Sequence, residues 1–327
     1  MNLFGKILLY IVLALIIAAL GLFIYVNTAF PSVGPAPDIK INPTAERLAR
    51  GEYLFHHVAM CGDCHTTRDW TMFTAPVKEE LLASGNFDEF NEELGFPGTF
   101  YASNLTPANL GSWTDGEIFR AITTGVNKDG RALFPVMPYK NYGQLDKEDL
   151  YSIIAYIRSL KPIERETPIS EVNFPMNLIL KTIPSEAQLS KRPDKSDVIN
   201  YGKYMITAAS CADCHTPAEK GQALPGMDYA GGFAFNLPTG GVVKSANITP
   251  DKETGIGNWS KEQFIYRFKS YLDSNFVPEK VKPNEFNTLM PWTKYAGMKE
   301  EDLGAIYDYL MTVKPVSNKV EKFTPSN

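Results

Sequence analysis

The first long stretch of the chain shows no polar alternation. From Ile7 to Val26, twenty consecutive residues carry no charge. A helix of that length rises about 30 Å, the thickness of the hydrocarbon layer of a bilayer. Lys6 and the amino terminus precede the run, and no basic residue follows it until Lys40. That asymmetry keeps the N-terminus in the cytoplasm and sends the rest of the chain across. A cleaved secretory signal is the competing reading, but its apolar core is usually shorter, and Asn27-Thr28-Ala29 is a poor cleavage site. Residues 1–30 are therefore expected to be an uncleaved signal anchor. Pro31, Pro35 and Pro37 make residues 31–42 a stiff spacer leading away from the bilayer.

Beyond the spacer the pattern becomes helical with long polar loops, and it occurs twice. Leu150, Ile153, Ile154 and Ile157 fall at i, i+3, i+4 and i+7, as do Leu303, Ile306, Tyr307 and Leu310. Pro162 and Pro315 end these two helices. Asp146 is an N-cap for the first; its counterpart Lys299 is a poor one, at a cost of about 1 kcal/mol. Thr114 with Glu117, and Ser260 with Gln263, are capping-box signatures, each just after a tryptophan, Trp113 or Trp259. Gly51-Glu52-Tyr53-Leu54 returns as Gly202-Lys203-Tyr204-Met205, a glycine in each letting a crossing helix come close. Asn104-Leu105-Thr106-Pro107 returns as Asn247-Ile248-Thr249-Pro250, and Met137-Pro138-Tyr139 as Met290-Pro291-Trp292. Asp149-Leu150 and Tyr156 return as Asp302-Leu303 and Tyr309. The same anchors in the same order indicate a domain duplication, residues 43–166 and 197–316. Residues 167–196, with Pro168, Pro175, Pro184 and Pro193, read as an extended strap whose apolar patch Phe174 to Leu180 packs on a domain. Residues 317–327 are a tail.

Composition changes this picture at two points. The net charge of −5 gives no reason to expect a nucleic-acid partner. All four cysteines of the 327 residues lie in two short motifs, Cys61-Gly62-Asp63-Cys64-His65 and Cys211-Ala212-Asp213-Cys214-His215. C-x-x-C-H is the attachment pattern of c-type haem. Two thiols two residues apart reach both vinyl groups of one porphyrin, and the adjoining histidine takes an axial position on the iron. A split zinc site is the alternative, but the gap between the pairs is far longer than zinc ribbons use and each pair has its own histidine. Two covalently bound haem c groups are therefore expected, on Cys61, Cys64 and His65 and on Cys211, Cys214 and His215.

The second axial ligand must come from elsewhere. His56 and His57 lie on the helix entering the first motif, already on the proximal side, and read as polar residues of a half-exposed helix. Of ten methionines, Met137 and Met290 repeat in register, 72 and 75 residues after their histidines, each on a loop stiffened by proline. A thioether there faces the iron across the ring, and His/Met ligation raises the potential. Met72, Met227 and Met298 are reserves. Trp113, Trp259, Asn104 and Asn247 are either propionate partners or core and turn residues, and Arg131 is a further propionate candidate. The first copy has an acidic insert around residues 78–94 with Glu79, Glu80, Asp88, Glu89, Glu92 and Glu93. It is read either as a docking face for a basic redox partner or as a solvated loop.

The helix, C-x-x-C-H motif, N-[LI]-T-P loop, W-[ST] helix, Met-Pro loop and closing helix together resemble class I cytochrome c domains. More narrowly, Phe134-Pro135-Val136-Met137-Pro138-Tyr139 and Cys64-His65-Thr66 are similar to multihaem cytochrome c subunits of membrane-bound alcohol, aldehyde and gluconate dehydrogenases. The resemblance covers roughly residues 43–316; those subunits commonly carry three haems, and this chain has two motifs. It implies an all-α fold, two tandem class I cytochrome c domains after an N-terminal transmembrane helix. Two six-coordinate irons leave no site for substrate, so the expectation is an electron-transfer protein and not an enzyme. It would sit in the bacterial cytoplasmic membrane with the haem domains on the periplasmic side. Its donor would be a dehydrogenase or quinol-oxidising complex and its acceptor a terminal oxidase. The alternative is a dihaem peroxidase with one open iron, which would need Met137 or Met290 unbound.

Overall fold

The structure, a computed structural model, describes residues 2–273 and 276–326. Helix α1 (Leu3–Ala29) starts where the Asn2 side chain accepts the Gly5 N–H at 3.0 Å. It is long and apolar enough to cross a membrane, and none of its residues is buried. The spacer does not lead away from the body, as its prolines predict. The Gly34 N–H donates to the Glu186 carboxylate at 2.5 Å and the Ile41 N–H to Asp115 at 2.8 Å. The Pro37 carbonyl fills the place of a side chain at Gly116, where a Cβ would lie 1.7 Å from its oxygen. Proline stiffens the segment but leaves its other backbone groups needing partners, and the first half and the connector supply them.

The first half contains α2 (Ala45–His57), α3 (Cys61–Cys64), α4 (Pro107–Leu110), α5 (Asp115–Thr124), α6 (Tyr139–Tyr142) and α7 (Lys147–Ser159). A short α8 (Met176–Ile179) lies in the connector. The second half contains α9 (Val198–Ala208), α10 (Cys211–His215), α11 (Lys261–Lys269), α12 (Trp292–Tyr295) and α13 (Glu300–Leu310). In each half the entering helix crosses the closing one, α2 on α7 and α9 on α13, and the crossing is tight because of one glycine. A Cβ at Gly51 would stand 1.9 Å from the Ser152 carbonyl oxygen, and one at Gly202 would stand 2.0 Å from that of Ala305. Leu54 and Phe55 meet the stripe Leu150, Ile153, Ile154 and Ile157; Met205 and Ile206 meet Leu303, Ile306 and Leu310, all buried. Each such side chain contributes about 1.5–3 kcal/mol by leaving water. Both capping boxes are formed, at α5 and α11. Asp146 caps α7, whereas Lys299 gives α13 no side-chain cap.

The long loops are not all irregular, so the all-α expectation needs correcting. In the first half β1 (Asn86–Phe90), β2 (Gly98–Ala102) and β3 (Glu171–Val172) form an antiparallel sheet in that order. In the second, β4 (Ala218–Glu219) pairs with β5 (Gln222–Ala223), and β6 (Ala234–Asn236), β7 (Val242–Lys244) and β8 (Phe323–Thr324) form a sheet. Aromatic contacts hold the first sheet: Phe100 stacks on Phe134 at 4.1 Å and Phe96 meets both. β3 and β8 come from the connector and the tail, so both run into their sheets instead of standing free.

The two halves meet through a reciprocal exchange of hydrogen bonds. Tyr53 of α2 donates to Asp302 of α13 at 2.5 Å, and Tyr204 of α9 donates to Asp149 of α7 at 2.7 Å. Asp149 also accepts from Arg50 at 2.7 Å and Arg192 at 2.6 Å, and Asp302 from Tyr201 at 2.8 Å. The repeated Asp-Leu of the closing helices is thus an interface feature. The acidic insert is partly consumed by structure. Glu89 is buried against Arg68, which also reaches Asp63 at 3.3 Å, and Glu79 pairs with Lys294 of the other half at 2.8 Å. Glu80, Asp88 and Glu93 remain exposed.

Candidate functional site

Both motif helices begin with the same unusual turn. Met60 and Ser210, each just before the first cysteine, have φ of 56° and 54°. The left-handed conformation is costly for a residue with a side chain, and its occurrence at both positions marks a constrained site. It turns the chain sharply from α2 into α3 and from α9 into α10. Cys61 and Cys64 then stand three residues apart on one helical turn, and so do Cys211 and Cys214, which puts each pair on one face. All four are free thiols; Cys61 and Cys211 are half-buried and Cys64 and Cys214 are exposed. Burial pushes all four thiols up to about 12. Among the described residues no three His, Cys, Asp or Glu side chains converge as a metal site.

The histidines are oriented identically. Nδ1 of His65 lies 2.7 Å from the Ser103 carbonyl and Nδ1 of His215 lies 2.7 Å from the Ala246 carbonyl. A carbonyl only accepts, so Nδ1 carries the proton and Nε2 keeps a lone pair for a metal. Burial lowers both imidazoles from their ordinary value, which keeps them neutral, although the carbonyl contact opposes this. Ser103 and Ala246 immediately precede the repeated Asn-x-Thr-Pro segments, which explains the repeat. Asn104 is fully buried, accepting from the Thr106 N–H and hydroxyl at 2.8 and 2.7 Å and donating to the Ile163 and Arg165 carbonyls. Asn247 holds Thr249, Thr254 and the Val316 carbonyl in the same way. Both amides are used up by the chain, so the propionate role considered for them falls away; they are turn residues that place the histidine's acceptor.

A cavity of about 700 Å³ opens beside the first motif. Cys61, Cys64 and His65 line one side of it, and Met137 lines it too, with Trp113, Ile118, Ile122, Leu133 and Phe134. This apolar cleft with two thiols, a neutral imidazole and a thioether fits a haem group. Arg131 and Trp113 line the same cavity; Arg131 is largely exposed and reaches Asp129 at 3.4 Å. Trp259, by contrast, is partly exposed and accepts the Tyr307 hydroxyl on its carbonyl. Met290 is half-buried and, like Cys211, packs against the core of the second half. Of the reserves, Met298 is fully buried core, and Met72 bridges to Lys280 through its backbone.

Two tyrosines that the sequence pattern did not single out tie each methionine loop to its motif. The Tyr142 hydroxyl donates to the Ala59 carbonyl at 2.5 Å, and the Tyr295 hydroxyl to that of Ala209 at 2.7 Å. Each acceptor lies two residues before a first cysteine. Their common offset from the Met-Pro pairs was the available signal. Asn141, next to Tyr142, donates to Asp213 of the second motif at 2.9 Å, and Tyr295 lies within electrostatic reach of Tyr142 and Cys64. The motifs therefore face one another across the interface. His56 and His57 are taken up there: His56 contacts the Tyr156 hydroxyl at 2.8 Å and His57 the Lys294 carbonyl at 2.9 Å.

Comparison with known proteins agrees with this geometry. Residues 199–314 match the cytochrome c family. The chain carries a cytochrome c domain. Such a domain binds haem c covalently and carries electrons. The chain is 28% identical to the cytochrome c subunit of a quinone-dependent alcohol dehydrogenase of Gluconacetobacter polyoxogenes, over 69% of this chain and 50% of that protein. It is 30% identical to the fructose dehydrogenase cytochrome subunit of Gluconobacter japonicus, over 68% and 44%. It is 26% identical to a diheme cytochrome c-type protein of Cereibacter sphaeroides, over 74% and 78%. The chain spans about half the length of the dehydrogenase subunits it matches. The cytochrome c match covers the second half; the first half repeats its left-handed turn, its histidine–carbonyl bond and its tyrosine tie.

Proposed function

We propose that the chain is a membrane-anchored dihaem c-type cytochrome built of two tandem class I domains. It passes electrons from a respiratory donor to a terminal acceptor outside the cytoplasm. The observation that carries this reading is the duplicated histidine geometry, with Nδ1 bound to a carbonyl and Nε2 free at both motifs. Cys61 and Cys64, and Cys211 and Cys214, would hold the two porphyrins as thioethers. His65 and His215 would be the proximal ligands and Met137 and Met290 the distal ones. When bound, haem c supplies an iron that cycles between the ferric and ferrous states. The chain's own part is to fix the imidazole orientation, to hold the thioether on a proline-stiffened loop, and to exclude water with the apolar cleft wall, which favours the reduced state. α1 would hold the protein in the bacterial cytoplasmic membrane with both halves in the periplasm. The donor would be a dehydrogenase, as the names of the relatives suggest, or a quinol-oxidising complex, and the acceptor a terminal oxidase.

The test is haem stoichiometry. Full-length protein from a host competent in cytochrome c maturation should retain two haems per chain after denaturation. Replacing Cys211 and Cys214 by serine should leave one. A single haem in the unchanged chain, or zinc in place of haem, would overturn the proposal.

A further inference from the structure

Among the described residues, the connector between the halves carries apolar side chains that stand largely exposed. The sequence predicts that Phe174 to Leu180 packs on a domain; Leu180 does so at 6% exposure and Met176 and Leu178 are half-buried, but the rest of the apolar positions are not covered. Phe174 is 79% exposed, Ile169 72% and Ile179 47%. This face lies beside the end of α1. The turn Leu180–Thr182, which continues α8, packs against α1, and the Lys181 ammonium donates to the Asn27 side chain at 2.5 Å. The spacer cannot carry the first half away from that point, because Pro37 and Ile41 are pinned to the first half and Gly34 to Glu186 of the connector.

We propose that Ile169, Phe174 and Ile179 enter the lipid headgroup region, making the connector a second, peripheral membrane contact beside the spanning helix. The proposal rests on the reading of α1 as an uncleaved anchor. From α8 to Thr182 the helical path is about 10 Å long, enough to cross the roughly 5–8 Å headgroup layer on one side of a bilayer. Tyr25 and Lys181 are the residue types found at that boundary, an amphipathic ring and a long stem with a charged tip. The arrangement also orients the first haem cleft. Asn27, Phe30 and Pro31 from the anchor and Ile169, Asn177 and Lys181 from the connector all line its cavity. One rim of that cleft is thereby held at the membrane surface.

The experiment uses full-length haem-loaded protein in phospholipid nanodiscs whose lipids carry a carbene-forming group near the headgroup. After illumination and digestion, adducts are located by mass spectrometry. Adducts are expected in α1 and in the peptide containing residues 168–181, with only background on α11, where Tyr266 is 71% exposed. Phe174→Glu with Ile179→Glu should reduce adducts in 168–181 at least fivefold, with α1 labelling and haem content unchanged. Labelled α1 with 168–181 at the α11 background would overturn the proposal and leave the anchor standing. A mature chain beginning near Phe30 would overturn the anchor, and this proposal with it.

Discussion

A neutral imidazole has one proton to give, and both motif histidines give it to a backbone carbonyl. Everything near them serves that bond. Asn104 and Asn247 hold the turn that presents the carbonyl, so their effect on the iron is indirect. Asn104→Leu should remove the bonds to the Ile163 and Arg165 carbonyls and from the Thr106 N–H and hydroxyl, at a cost of at least about 2–3 kcal/mol, read as a lower midpoint in denaturant. The distal side makes a different prediction. Met137→His should keep the first haem six-coordinate and lower its potential, because imidazole favours ferric iron more than a thioether does. Met137→Ala should open that iron to carbon monoxide, seen as a shift of the reduced Soret band at half the haem. Spacing alone singles out the candidate cysteines, histidines and methionines, because haem attachment and ligation would demand those residue types. Tyr142 and Tyr295 share an offset from the Met-Pro pairs, but a hydroxyl bonding a carbonyl belongs to no particular chemistry, so that offset does not announce its role.

At the scale of elements, the helices were legible and the strands were not. Gly51 and Gly202, the capping residues and the apolar stripes all record local rules of helix formation and packing, so the crossings of α2 on α7 and α9 on α13 followed from them. β1 to β3 depend on aromatic contacts such as Phe100 on Phe134 and on a strand contributed from residue 171, a separation that no local pattern encodes. The spacer failed for a related reason: its prolines reported stiffness, while its position came from Asp115, Gly116 and Glu186. Gly51→Ala should force the two helices apart and cost about 3 kcal/mol, within the range for overpacked cores. Thermal denaturation should show it, and Gly202→Ala should behave alike. Alanine tolerated at both positions with an unchanged midpoint would contradict the packing described.

For the whole molecule, the exchange of Tyr53 with Asp302 and Tyr204 with Asp149 makes the two halves one body. Asp149→Ala would leave Arg50 and Arg192 without their carboxylate, and about 3 kcal/mol should be lost. The same interface sets a pH dependence. Burial, with Lys294 and His57 nearby, lowers His56 from 6.5 to about 4, and burial lowers His57 as well. The unfolded chain therefore binds more protons than the folded one between pH 6.5 and 4, and stability should fall as pH falls through that window. Denaturation midpoints should decline there in the unchanged protein and less steeply in His56→Gln.

The account turns on closed, methionine-ligated iron in both halves. The weak red charge-transfer absorption of methionine on ferric haem measures this directly in the oxidised full-length protein. Its intensity per chain should match two such haems, and fall by half in Met137→Ala and in Met290→Ala. An unchanged chain with two haems but the intensity of one, together with high-spin absorption, would contradict the account and point to an open iron.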